Sequence, residues 1–222
     1  MDKKINIAID GPSGAGKSSI AQTIAKKYNY LFVNTGSLYR VIAYFCYKNE
    51  VKIDNEKSIL KHWNNSLLQL LEDGSILLEK QKVDDELRLD IISKNASLIA
   101  KFPKIRELIV DILKDFQQNH KGIIMEGRDT TFVVMPQAEL KIFLWADSNV
   151  RAKRRVEQNK ELNLETNFQS ILEEIEKRDQ NDMNRKVNPL HKTEDSIFID
   201  STNLTFDQVV SQICKLVEQK LL

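Results

Sequence analysis

An α/β fold, a parallel sheet of five strands covered by helices on both faces, is what this sequence predicts, and three observations carry that prediction. Five short runs dense in Ile, Leu, Val and Phe recur along the chain, and stretches with helical periodicity separate them. The first run leads into a glycine-rich turn and then an amphipathic helix, in the order strand, loop, helix. Of 222 residues, 41% are hydrophobic and 29% charged, with only seven glycines and four prolines, which leaves no room for long disordered tracts and allows one substantial core with a small inserted lobe.

The elements follow in chain order. Ile5-Asn6-Ile7-Ala8-Ile9 reads as a buried strand, and Ile20, Ile24 and Tyr28 with Ala21 and Ala25 mark the apolar face of the next helix. Leu31-Phe32-Val33 is a second strand; Ser37 to Lys48 is a helix with Leu38, Val41, Ile42 and Phe45 on one face. Pro103 opens a helix whose core face is Ile105, Leu108, Ile109, Ile112, Leu113 and Phe116. The runs 122–126, 140–145 and 196–200 supply the remaining strands. Thr205-Phe206-Asp207-Gln208 has capping-box spacing, and Val209, Ile213, Leu216 and Val217 continue the last helix. Residues 58–100 break the pattern: Asp73-Gly74 is a turn signal between extended segments, which reads as a small insert with antiparallel strand character.

Several function classes are excluded by composition. Lys plus Arg total 33 against 32 acidic residues, a net charge of +1, so no polyelectrolyte surface for a nucleic acid polymer is expected. Cys46 and Cys214 lie far apart in apolar helical patterns, and His62, His120 and His191 are scattered, so neither set reads as a metal site. No apolar run is long enough for a membrane span, and the run after Met1-Asp2-Lys3-Lys4 ends at Asp10, too early for a signal peptide; a reducing cytoplasm and a monomer are the expectations.

Chemistry concentrates in a few segments. Gly11-Pro12-Ser13-Gly14-Ala15-Gly16-Lys17-Ser18 fits the phosphate-binding pattern G-x-x-x-x-G-K-[ST]: backbone N–H groups and the helix N-terminus face an anion, Lys17 reaches the β- and γ-phosphates, and the Ser18 hydroxyl takes Mg²⁺. Ser19 follows with a second hydroxyl. Gly127-Arg128-Asp129 and Asn34 to Arg40 each follow a strand at the carboxyl edge of the expected sheet, where open α/β folds place ligands. Arg151, Arg154 and Arg155 share one helix at spacings of three and four, and Arg178, Asp179, Asp182 and Arg185 lie on another helix-like stretch. Either set could be a solvated face, but a triphosphate loop calls for cations on the transferring group.

The ordered segments 9–17, Thr35-Gly36-Ser37-Leu38-Tyr39-Arg40, Phe102-Pro103-Lys104-Ile105-Arg106, Glu126-Gly127-Arg128-Asp129 and Arg178-Asp179 through Asn184-Arg185 closely resemble the bacterial cytidylate kinase family, over nearly the whole chain. The resemblance implies a P-loop kinase with a core at approximately 1–35, 103–148 and 186–222, a nucleoside-monophosphate lobe at 36–102 and a lid at 149–185. It implies transfer of the γ-phosphoryl of ATP to CMP or dCMP with Mg²⁺. Carried over by position, Thr35, Tyr39, Arg40, Arg128, Arg178 and Arg185 surround the acceptor; Ser97, Arg106 and Asp129 address the cytosine, and Asp182 and Arg185 the sugar. Lys17, Arg128, Arg178 and a lid arginine, Arg154 or Arg155, stabilise the transferring phosphoryl. The chain departs from the family pattern at Thr130-Thr131-Phe132, where a hydrophobic residue and glycine are usual, and at Trp145, where a smaller or acidic residue is usual. A kinase for UMP, AMP or shikimate is the nearest alternative; a nucleotide switch or partner-driven ATPase is the more distant one, and no guanine-reading Asn-Lys-x-Asp sequence is present.

Overall fold

The computed structural model describes residues 3–161 and 163–222; Met1, Asp2 and Leu162, within the expected core and lid, lie outside the described residues. The first strand, β1 (Ile7–Asp10), is wholly buried and forms the centre of a five-stranded sheet. Its neighbours are β6 (Ile123–Gly127) and β7 (Leu140–Trp145); β2 (Leu31–Asn34) and β8 (Ile197–Asp200) are the edges. Every pairing is parallel, as the densely apolar runs predict. Asp10 stands opposite both Gly127 and Phe143, and Asn34 opposite Glu126. The chain therefore leaves β1, β2 and β6 at one edge, and the site is built there.

Strand alternation sorts the core into two layers. Ile7, Ile9 and Ile142 face α1 (Lys17–Tyr28) and α8 (Phe206–Leu221), meeting Ile20, Ile24, Ile213 and Val217. Ala8, Val33 and Met125 face the other way, toward α2 (Thr35–Lys48) and α5 (Pro103–Gln118). Pro103 occupies the first turn of α5, and the Thr205–Gln208 capping box forms at α8 as the spacing predicts. The α2 helix begins two residues earlier than its apolar face suggests, because the Asn34 side chain accepts the Ser37 N–H at 3.2 Å and caps it.

The insert comprises α3 (Glu56–His62), an antiparallel sheet of β3 (Leu68–Leu70), β4 (Ile76–Leu78) and β5 (Gln81–Lys82), and α4 (Asp90–Ile99). The Asp73-Gly74 turn joins β3 to β4 and is seated against the edge of the main sheet: a Cβ on Gly74 would lie 2.1 Å from the Phe32 carbonyl oxygen, and its φ is +80°. Apolar side chains of the insert, Ile59, Ile76, Leu78 and Ile92, run into the same cluster as Val33 and Met125. The two remaining helices, α6 (Ser148–Glu161) and α7 (Phe168–Asn184), pack against each other. Arg185 lies one residue beyond α7, in extended backbone. Cys46 and Cys214 are buried thiols, and no helix among the described residues is long and apolar enough to cross a membrane.

Candidate active site

The glycine-rich loop leaves β1 by passing beside β7. A Cβ on Gly11 would meet the Leu144 carbonyl oxygen at 2.0 Å, so only glycine admits this path. Lys17, the first residue of α1, is 4% exposed; its Nζ donates to the Pro12 carbonyl at 2.8 Å and lies 4.0 Å from a Glu126 carboxylate oxygen. Burial, then the Arg128 charge, lowers its ammonium to about 7. The Ser18 hydroxyl donates to Glu126 Oε1 at 2.7 Å. A hydroxyl and a carboxylate side by side are hard oxygen donors that suit Mg²⁺ completed by phosphate oxygens and water. Ser19 is exposed on the first turn.

Two acidic residues organise the backbone around the loop. Asp10, fully buried at the end of β1, accepts the Thr130 N–H at 2.9 Å and both the N–H and the hydroxyl of Thr131 at 2.7 Å. The Thr130–Val134 segment forms a single wide helical turn, so the unusual Thr131 supplies a hydrogen bond that glycine could not. Asp179 accepts the Ser13 N–H at 3.1 Å and pairs with Arg151 at 2.6 Å. Arg151 donates in turn to the carbonyls of Ser13 and Ala146, each at 2.8 Å, with its guanidinium 5.8 Å from the Trp145 ring centroid.

Cations gather beside the loop. Arg128 is held to Asp182 at 2.8 Å and to its neighbour's carbonyl at 3.0 Å. Asp182 also pairs with Arg185 at 3.6 Å; burial alone would raise its carboxyl, but Arg128, Arg178 and Arg185 hold it below the usual carboxylate range. Arg178 has a sealed Nε without a hydrogen-bond partner among the described residues, and burial, then Arg128, lowers its guanidinium to about 10. Arg40 makes no hydrogen bond or ion pair among the described residues; burial, with Arg128 and Arg155, opposes its charge and outweighs the support of Glu126. Such an array of desolvated like charges is costly without an anion.

Next to these cations is a second polar cluster. Arg106, 1% exposed, pairs with Asp129, donates to the Ala100 carbonyl at 2.8 Å and lies 5.6 Å from the Tyr39 ring centroid; its Nε has no partner among the described residues. Arg185 approaches Asp129 at 3.7 Å. Thr35, buried at the head of α2, donates its hydroxyl to the Glu126 carbonyl at 2.9 Å. A cavity of about 350 Å³ opens beside this cluster, lined by Ser97 and Lys101 from one wall and by Asn181, Asp182 and Arg185 from the other.

The comparisons with known proteins agree with this arrangement. A family model described as cytidylate kinase matches residues 7–219. The chain belongs to the cytidylate kinase family. It is accordingly an enzyme of the phosphotransferase class. It is 62% identical over 219 residues to a cytidylate kinase of Mesomycoplasma hyopneumoniae strain 7448, covering 99% of this chain and 96% of the relative. To a cytidylate kinase of Mycoplasmopsis synoviae strain 53 it is 46% identical, covering 98% and 100%. An uncharacterized protein from Eubacterium ventriosum, 14% identical over 97% of this chain and 99% of its own, shares the fold at a TM-score of 0.56.

Of the residues singled out from sequence, the structure brings Lys17, Ser18, Thr35, Tyr39, Arg40, Ser97, Arg106, Arg128, Asp129, Arg178, Asp182 and Arg185 to this one edge of the sheet. Arg154 is turned away from the site, whereas Arg155 is exposed but near enough for its charge to bear on Arg40. Arg154 donates to the Ser201 carbonyl at 2.6 Å and toward that of Leu204 at 3.4 Å, capping the turn after β8, and Arg155 is exposed with its partner Gln158 at 3.2 Å. The α6 residue that does reach the loop is Arg151, on the inward face one turn earlier. Glu126, Asp10 and Asp179 received no role from sequence, although each adjoins a residue that did; their contacts join segments more than a hundred residues apart.

Proposed function

We propose that this chain transfers the γ-phosphoryl group of Mg·ATP to CMP or dCMP, giving ADP and the nucleoside diphosphate, as a monomer in the cytoplasm. The observation that carries the reading is the set Arg40, Arg128 and Arg178 beside a phosphate loop: Arg40 and Arg178 have no ion pair among the described residues, and Arg128 shares its Asp182 partner with Arg185. The acceptor phosphate is already anionic, so it attacks in line without a general base: its oxygen bonds to the γ-phosphorus as the bond to the bridging oxygen of ADP breaks. What remains for the protein is positioning and neutralisation of charge. In this reading the amides of 11–18 and Lys17 hold the donor phosphates, and Arg40 and Arg128 hold the acceptor phosphate. Arg178, with no partner among the described residues, meets the group in flight. Bound Mg²⁺ at Ser18 and Glu126 would offset donor charge. Arg155 is free to join from the lid of residues 149–185, whereas Arg154 is committed to the β8 turn.

The base reading rests on Asp129 and Arg106. Fixed between two guanidinium groups, the Asp129 carboxylate is an obligate acceptor for the cytosine amino group, and Arg106 can donate to ring O2 or N3. Uracil offers a carbonyl in place of that amino group and meets a carboxylate with no proton to share. The lobe of residues 36–102 closes over the base through Ser97 and the sugar meets Asp182. Arg178→Ala is expected to lower kcat for CMP by about 10³ or more, with the KM for ATP nearly unchanged. Turnover within tenfold of the unaltered protein would remove Arg178 from the transferring group.

A further inference from the structure

The peptide of Ser13 is gripped on both sides by the two helices that follow β7. Its N–H is taken by Asp179 of α7 at 3.1 Å, and its carbonyl by Arg151 of α6 at 2.8 Å. The two side chains close the ring through their own ion pair at 2.6 Å, and both are almost wholly buried. Arg151 is tied further to the Ala146 carbonyl, at the start of the segment that leaves the sheet.

Where Asp179 sits on α7 gives this clasp its consequence. It is the neighbour of Arg178 and stands one turn before Asp182, which holds Arg128 and Arg185. The same helix thus carries the contact to the donor loop at Asp179, the Arg178 cation beside it, and the Asp182 carboxylate that anchors Arg128 and Arg185, so fixing Ser13 to Asp179 links the donor loop to the groups that hold the acceptor side. Loop amides otherwise face the incoming triphosphate; this one is already satisfied by a carboxylate whose charge Arg151 balances.

We infer that Asp179 and Arg151 are positioning residues that set the register between the donor loop and the acceptor helix, and that the Asp179–Ser13 bond persists while ATP is bound. This rests on the phosphoryl-transfer reading above. Misplacing reacting groups by about 1 Å costs on the order of a hundredfold in rate, so loosening the clasp should act on the transfer step while leaving each nucleotide able to bind. It should also let water compete, since the acceptor oxygen would no longer be held in line.

The test compares the unaltered protein with Asp179→Ala and Asp179→Asn, measuring CDP formation and CMP-stimulated release of inorganic phosphate from Mg·ATP in the same reactions. Transfer by the unaltered protein establishes the underlying reading first; its absence overturns that reading and this inference with it, whereas normal transfer with unaffected variants overturns the inference alone. For Asp179→Ala the expected result is a fall in transfer kcat of about a hundredfold, with both KM values within a few-fold and a higher ratio of phosphate release to transfer. Asp179→Asn, which keeps an oxygen acceptor for the Ser13 N–H, should recover part of the loss. Transfer and hydrolysis falling together with the folded fraction would reduce Asp179 to a structural residue and overturn the inference. A rise in kcat in either variant would also overturn it, because the carboxylate would then be an occupant that ATP must displace.

Discussion

Lys17 is the cation of the site whose charge changes near neutrality. Burial and Arg128 bring it to about 7 in the empty protein, well below the value for an exposed lysine. The unfolded chain therefore binds more protons than the folded one from about pH 7 to about 10.4, and stability attributable to this residue rises with pH across that window. Denaturant unfolding at pH 7 and pH 9.5 should show the unaltered protein gaining on Lys17→Met as pH rises; parallel changes in the two would mean that Lys17 is not desolvated. The pattern around Lys17 was legible in sequence because eight consecutive residues carry it. Glu126, its partner 4.0 Å away, was not, since only the β1–β6 register brings the two together. Arg154 illustrates the converse: spacing put it on a helix with Arg151 and Arg155, but which of the three faces the loop depends on how α6 packs, and the β8 turn claims Arg154.

Among the elements, strands and long helices were readable because each is a local period: the five parallel strands, the Pro103 start of α5 and the α8 capping box all lie where the pattern puts them. The wide turn at Thr130–Val134 was not readable, because it exists to present two N–H groups and one hydroxyl to Asp10, about 120 residues earlier in the chain. The departure at Thr131 thus acquires a physical reason. Thr131→Val keeps the shape and removes only the hydroxyl donor, and should cost about 1.5–3 kcal/mol, the range for a hydrogen bond to a charged group, in urea unfolding, while Thr131→Ser stays close to the unaltered protein. A valine variant as stable as the original would show that Asp10 is satisfied by the two backbone donors alone. The Asp73-Gly74 turn and the antiparallel strands of the insert were legible, whereas its α3, its α4 and the seating of Gly74 on the Phe32 carbonyl were not, because they depend on contacts with the main sheet.

For the whole molecule, a sheet with α1 and α8 on one face and the insert with α2 and α5 on the other leaves a single edge where β1, β2 and β6 end together. Donor loop, acceptor cations and the Asp129–Arg106 pair share that edge because the parallel register aligns Asp10, Asn34, Glu126 and Gly127. Family membership gives the phosphotransferase class; the acceptor is a matter of the chemistry at Asp129. The most direct test is the initial rate of phosphoryl transfer from Mg·ATP to equal concentrations of CMP, dCMP, UMP and AMP, with an acceptor-free control, for the unaltered protein and for Asp129→Asn. The account predicts that CMP and dCMP exceed UMP and AMP by about tenfold or more, as one hydrogen bond to a charged group allows, and that Asp129→Asn narrows the gap between CMP and UMP. A faster rate with UMP or AMP, or ATP consumption that is as rapid without an acceptor, would contradict it.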